Sequence, residues 1–72
     1  MATIDHKKTG QRLRALRIGA GETVKDLANT LGVSHSSVVF YEKGTRRPAD
    51  DIKIKYADHY KKSIEFLFYG GK

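Results

Sequence analysis

The sequence predicts an all-α fold, a compact bundle of five short helices, on three observations. Glycine and proline punctuate the chain densely, at Gly10, Gly19, Gly21, Gly32, Gly44, Pro48, Gly70 and Gly71, so its elements are short. Thr23, Ser34 and Ser63 each stand where an N-cap opens a segment with apolar residues at helical spacing. Strand-like alternation is nearly absent, and there is no internal repeat or low-complexity tract.

The first helix is expected from about Asp5 to Ile18, with Leu13, Leu16, Ile18, Ala15 and the arginine stems on its apolar side. Gly19-Ala20-Gly21 ends it in a left-handed turn. Thr23 caps the second helix, and Asp26 reaches back in a shortened capping box that also complements the helix dipole. Val24, Leu27, Ala28 and Leu31 fall at i, i+3, i+4 and i+7, an apolar stripe two turns long that Gly32 stops. Ser34 caps a third helix from His35 to Lys43, with Val38 and Tyr41 on one side, and Gly44 closes it.

Thr45-Arg46-Arg47-Pro48 reads as an exposed basic loop. Pro48 sets the following turn, and Asp50 and Asp51 suit the first turn of a fourth helix. Ile52, Tyr56 and Tyr60, with Ile54 and Ala57, supply its apolar side. Ser63 caps a last short helix whose inner residues are Ile64, Leu67 and Phe68. The C-terminal aromatics Tyr60, Phe66, Phe68 and Tyr69 read as core rather than a ligand site, with Phe68 and Tyr69 as the candidate dimer or partner contacts. Residues 1–72 read as one domain, with frayed ends at about 1–4 and 70–72.

Seventy-two residues suffice for one small domain and leave little room for an enzyme's pocket, second layer of support and lid. Fourteen Lys or Arg against eight Asp or Glu give a net charge of +6, a weak general attraction for polyanions. With no Cys there is no disulfide, thiolate metal site or cysteine nucleophile, which suits a reducing cytoplasm. His6, His35 and His59 are too scattered for a metal motif, and Asp50-Asp51 reads as a helix start rather than an acid/base pair. No Ser/His/Asp arrangement, P-loop or GxGxxG occurs, so neither catalysis nor a cofactor is expected. The longest apolar runs, Val38–Tyr41 and Phe66–Tyr69, are far short of a membrane span, and no signal peptide is evident. The basic residues are spread over several helices rather than along one membrane-binding face.

The informative stretch is Thr23 to Gly44: a capped helix, a glycine-centred turn and a second helix. In a helix-turn-helix the first helix crosses the DNA backbone and the second lies in the major groove. The two helices meet at about 90–120°, so a small residue is wanted in the turn, here Gly32, and another at Ala28.

From Gly10 to Gly70 the chain resembles the lambda-repressor-like, or Cro/repressor (XRE), helix-turn-helix regulators. The resemblance rests on Gly10-Gln11-Arg12-Leu13-Arg14-Ala15-Leu16-Arg17 and Leu27-Ala28-Asn29-Thr30-Leu31-Gly32-Val33-Ser34. It continues through Ser36-Ser37-Val38, Tyr41-Glu42-Lys43-Gly44, Arg47-Pro48 and Ser63-Ile64-Glu65-Phe66-Leu67-Phe68-Tyr69-Gly70. It implies a five-helix domain that binds double-stranded operator DNA, commonly as a homodimer. It also implies an ion pair between Arg17 and Glu42 that orients the recognition helix. His35 and Ser36 match base-reading positions. Thr23 and Ser34 suit phosphates at helix N-termini, and Lys25, Lys43, Arg46 and Arg47 are the candidate phosphate partners.

Three departures from the family pattern stand out. Val24 replaces the usual Gln after the cap, and Glu22 replaces an apolar residue. Val39 and Phe40 occupy outward recognition positions that are usually polar or basic, and with Val24 they would form a small apolar patch. Val39 and Phe40 could contact thymine methyls, tuck into the core, or bind a protein. The third option resembles the antirepressors of temperate phages, small proteins that cover a cognate repressor's DNA-binding domain. There Glu22, Asp26 or Asp50-Asp51 would pair with the partner's cations. Arg46-Arg47 favours operator DNA, and the missing long polar readers favour the antirepressor. The preferred reading is an operator-binding regulator of phage or mobile-element type.

Overall fold

Five helices follow one another in the computed structural model: α1 (His6–Gly19), α2 (Val24–Leu31), α3 (His35–Lys43), α4 (Asp50–Tyr60) and α5 (Ile64–Phe68). The structure describes residues 5–69, so the ends where fraying is expected lie outside the described residues. Among those described there is no strand. Local capping explains most helix starts. The Asp5 carboxylate accepts from the Lys8 amide at 3.0 Å, and the Ser63 hydroxyl accepts from the Phe66 amide at 3.0 Å. Only Ala49, before α4, lacks a side-chain cap; Asp50 and Asp51 in its first turn complement the dipole instead.

The core is built from Leu13 of α1, Leu27, Ala28 and Leu31 of α2, Val38 and Tyr41 of α3, Ile52 and Tyr56 of α4, and Leu67 and Phe68 of α5. Tyr56 lies at its centre, with Tyr41, Tyr60 and Phe68 ring centroids 6.3, 6.2 and 5.8 Å away. The Tyr41 and Phe68 contacts are edge-on, a favoured aromatic geometry. Phe68 is therefore a core residue and no partner contact, whereas Tyr69 stays exposed. Pro48 is also buried, so the basic loop is exposed only up to Arg47.

The α1–α3 crossing depends on glycine. A Cβ on Gly10 would lie 2.7 Å from the Tyr41 carbonyl oxygen and closer still to that of Glu42. Gly44, at φ 80°, leaves a Cβ no room either, with the His6 carbonyl oxygen and Lys7 Cα each 2.7 Å away. The close approach expected at Gly32 is not found. A Cβ there would meet only the Lys55 ammonium at 3.5 Å, and the turn requires Gly32 for its φ of 71° instead.

Three expected apolar contacts fail for geometric reasons. The inward face of α1 is Thr9, Gly10 and Leu13, with Leu16 half-buried, while Ala15 and Ile18 are exposed. Ile18 lies five residues past Leu13, about 140° around the helix. Ile54 is two residues past Ile52, nearly the opposite face, and is likewise exposed. The first helix also runs one residue further than expected, through Gly19, and Gly21 supplies the left-handed turn at φ 72°.

Candidate nucleic-acid interface

The α2–turn–α3 unit is set by short-range hydrogen bonds. The Thr23 hydroxyl accepts from the Asp26 amide at 3.0 Å, and the Asp26 carboxylate accepts from the Thr23 amide at 3.1 Å. The amide hydrogen bond from Thr23 holds the Asp26 carboxyl below its ordinary range. Asp26 is thus engaged in its own cap. Past Gly32, the Val33 amide reaches the Ala28 carbonyl at 3.0 Å, and Ser34 caps α3 by accepting from the Ser37 amide at 3.1 Å. The Ser34 and Ser37 hydroxyls are 2.9 Å apart and bonded to each other.

The rotation of α3 about its axis follows from what it buries. Val38, Tyr41 and Glu42 face inward; His35, Ser36, Phe40 and Lys43 are exposed, and Val39 is half-buried. A buried glutamate needs a partner, and Arg17 supplies it. Its Nε and Nη2 donate to the two Glu42 oxygens at 2.7 and 3.1 Å, and its Nη1 donates to the Glu22 carbonyl at 2.9 Å. The Glu42 hydrogen bond holds the arginine firmly protonated. This bidentate pair joins α1 to α3 and fixes the direction in which α3 projects.

Cations flank the exposed face. Lys25, Lys43, Arg46 and Arg47 are all exposed, as are Thr23 and Ser34. Arg46 lies with its guanidinium carbon 5.2 Å from the Phe40 ring centroid and donates to the Ser37 hydroxyl at 3.4 Å. Phe40 is 38% exposed and is covered on one side by this arginine. Val24 is half-buried and packs against the core, so the three apolar departures do not form one open patch. Glu22 is also unavailable to a partner. Its carboxylate binds the Tyr60 hydroxyl at 2.7 Å and the His59 imidazole.

Two participants escape a sequence reading. Ser37 joins the site through Arg46, and its one signal is the i, i+3 spacing from Ser34. The Glu22–His59–Tyr60 cluster joins the α1–α2 turn to the end of α4 and has no local signal. Among the described residues, no group of three or more His, Cys, Asp or Glu could hold a metal ion, and no helix is long and apolar enough to cross a membrane.

Comparison with known proteins adds independent findings. A helix-turn-helix family model matches residues 13–67. An uncharacterized HTH-type transcriptional regulator of Archaeoglobus fulgidus is 37% identical over 57 residues, which span 79% of this chain and 81% of that protein. The restriction-modification controller protein C.AhdI of Aeromonas hydrophila superposes with a TM-score of 0.80 at 34% identity, covering 89% of this chain and 97% of that one. ClgR, the clp gene regulator of Corynebacterium glutamicum, shares the fold, with a TM-score of 0.77 at 21% identity over 86% of this chain and 66% of its own.

Proposed function

The chain belongs to the helix-turn-helix family of transcriptional regulators, of the Cro/repressor (XRE) type, and from that premise we propose that it binds operator DNA through α3. The observation that carries this reading is the bidentate Arg17–Glu42 pair. It turns α3 so that His35 and Ser36 stay exposed, as Lys25, Lys43, Arg46 and Arg47 are. His35 and Ser36 would read base edges, and the cations with the Thr23 and Ser34 caps would hold phosphates. Phe40, with Arg46 laid against it, offers an apolar edge suited to a thymine methyl. Two copies on a two-fold symmetric operator would place their recognition helices about 34 Å apart. The likeness to a restriction-modification controller supports a regulator of mobile-element type.

Titration with the duplex upstream of the chain's own gene, over a range of salt, tests this. Each neutralised phosphate steepens the log–log salt dependence by about 0.9. Arg46→Ala or Arg47→Ala should lessen the slope by about one unit and leave sequence preference largely intact. Absence of DNA binding, with tight capture of a cognate repressor's DNA-binding domain that Phe40→Ala abolishes, would replace this reading with the antirepressor one.

A further inference from the structure

A cavity of about 70 Å³ opens beside the recognition unit, between the start of α1, the α3–α4 loop, α4 and α5. Leu13, Tyr41 and Phe68 give it an apolar floor, and Arg46, Arg47 and Lys53 stand around it. Lys53 is held in place, donating to the Tyr69 hydroxyl at 3.1 Å with its ammonium 5.6 Å from the Phe68 ring centroid. Among the described residues, no carboxylate lies within ion-pair distance of Arg46 or Arg47, and the one beside Lys53 is the fully exposed Asp50 at 4.0 Å. Three cations beside an apolar recess, with so little compensating negative charge, favour an anion that carries a small apolar body.

Volume narrows the ligand class. A water needs roughly 10–15 Å³ on this measure, and an engineered apolar cavity of about 150 Å³ accepts benzene. The recess here is intermediate, which suits a small apolar group of a few carbons. We infer that this cavity is an effector site for short-chain carboxylates, whose alkyl group seats on Leu13, Tyr41 and Phe68 while the carboxylate meets Arg46, Arg47 and Lys53. Arg46 couples the site to α3, because this residue lines the cavity while its guanidinium covers Phe40 and bonds Ser37. A bound carboxylate competes with DNA phosphates for Arg46 and Arg47, so the effector weakens DNA binding. That second step rests on the operator-binding reading; the site itself does not.

The test begins without DNA. Isovalerate titrated into the full chain should give saturable NMR shifts at Leu13, Tyr41, Phe68 and Arg46. The neutral isostere 3-methylbutanol should bind at least about tenfold more weakly, and formate should leave the Leu13 and Phe68 signals unmoved. The double variant Arg47→Gln/Lys53→Gln, with helicity checked by circular dichroism, should weaken isovalerate about tenfold. No saturable shift up to about 10 mM, or equal binding of acid and alcohol, overturns the site. In the second arm, isovalerate should lower affinity for the upstream duplex; binding without that loss overturns the coupling to α3. A chain that fails to bind the duplex at all would refute the operator reading, and the DNA-free titration would still decide the site.

Discussion

The Glu22 carboxylate accepts a 2.7 Å hydrogen bond from the Tyr60 hydroxyl, joining residues 38 positions apart. Its other oxygen binds the His59 imidazole, and the Glu22 carbonyl accepts from Arg17. A charged residue where the family usually has an apolar one is therefore accommodated on both sides. The α1–α2 turn is held to α4 by the Glu22 side chain and to the Arg17–Glu42 brace by its main chain.

Tyr60→Phe should cost about 1.5–3 kcal/mol in urea unfolding at neutral pH, the net worth of a hydrogen bond to a charged group. The variant should also change the alkaline limb. Burial first, and then the Glu22 carboxylate, push the Tyr60 phenol well above its usual range, and burial pushes Tyr56 up likewise. The unfolded chain loses these protons near pH 10 while the folded chain keeps them, so stability falls as pH rises beyond about 10. Thermal melts between about pH 9 and about pH 11 should show a shallower fall for Tyr60→Phe than for the parent. Identical slopes would contradict the assignment.

Glu42→Gln or Arg17→Met alone should destabilise by about 3 kcal/mol, because each leaves a mostly buried charge without its partner. The side chains of Arg17 and Glu42 are only 11% and 6% exposed, so water compensates poorly. The double variant Arg17→Met/Glu42→Gln should recover much of that loss, since the uncompensated charge is gone. A double variant as unstable as the sum of the singles would mean that the pair has no mutual dependence.

Two glycines of α1 should respond oppositely to the same substitution. Gly10→Ala drives a methyl into the Tyr41 and Glu42 carbonyls and should cost about 1–3 kcal/mol as overpacking of the α1–α3 crossing. Gly19→Ala meets nothing within 4 Å and should stabilise α1 by up to about 1 kcal/mol. Chemical denaturation of the two variants reads both signs directly.

His35→Ala and Arg47→Ala separate base reading from phosphate contact. Loss of His35 should relax preference at one base position by about 1–3 kcal/mol, seen by binding a set of single-base operator variants. Loss of Arg47 should weaken all those sequences alike. A uniform loss from His35→Ala would remove it from base reading.

The parts legible in advance are those whose chemistry closes within one helical turn. The caps at Thr23, Ser34 and Ser63 each bond the amide three residues on, and the Leu27-Ala28-Leu31 stripe needs only the helical period. The Gly10–Gly70 motifs likewise carried the family's five-helix order. Tertiary packing decided the rest. Which way Ile18, Ile54 and Val24 point depends on the neighbours each helix meets, and composition does not reveal that. Glu22 looks like a free surface acid until α4 brings His59 and Tyr60 against it. The charge of +6 suggests a polyanion without saying where it would bind. Only the packing of α1, α4 and α5 behind the basic loop sets Arg46 and Arg47 around an apolar recess, because contacts that distant along the chain exist only once the helices have docked.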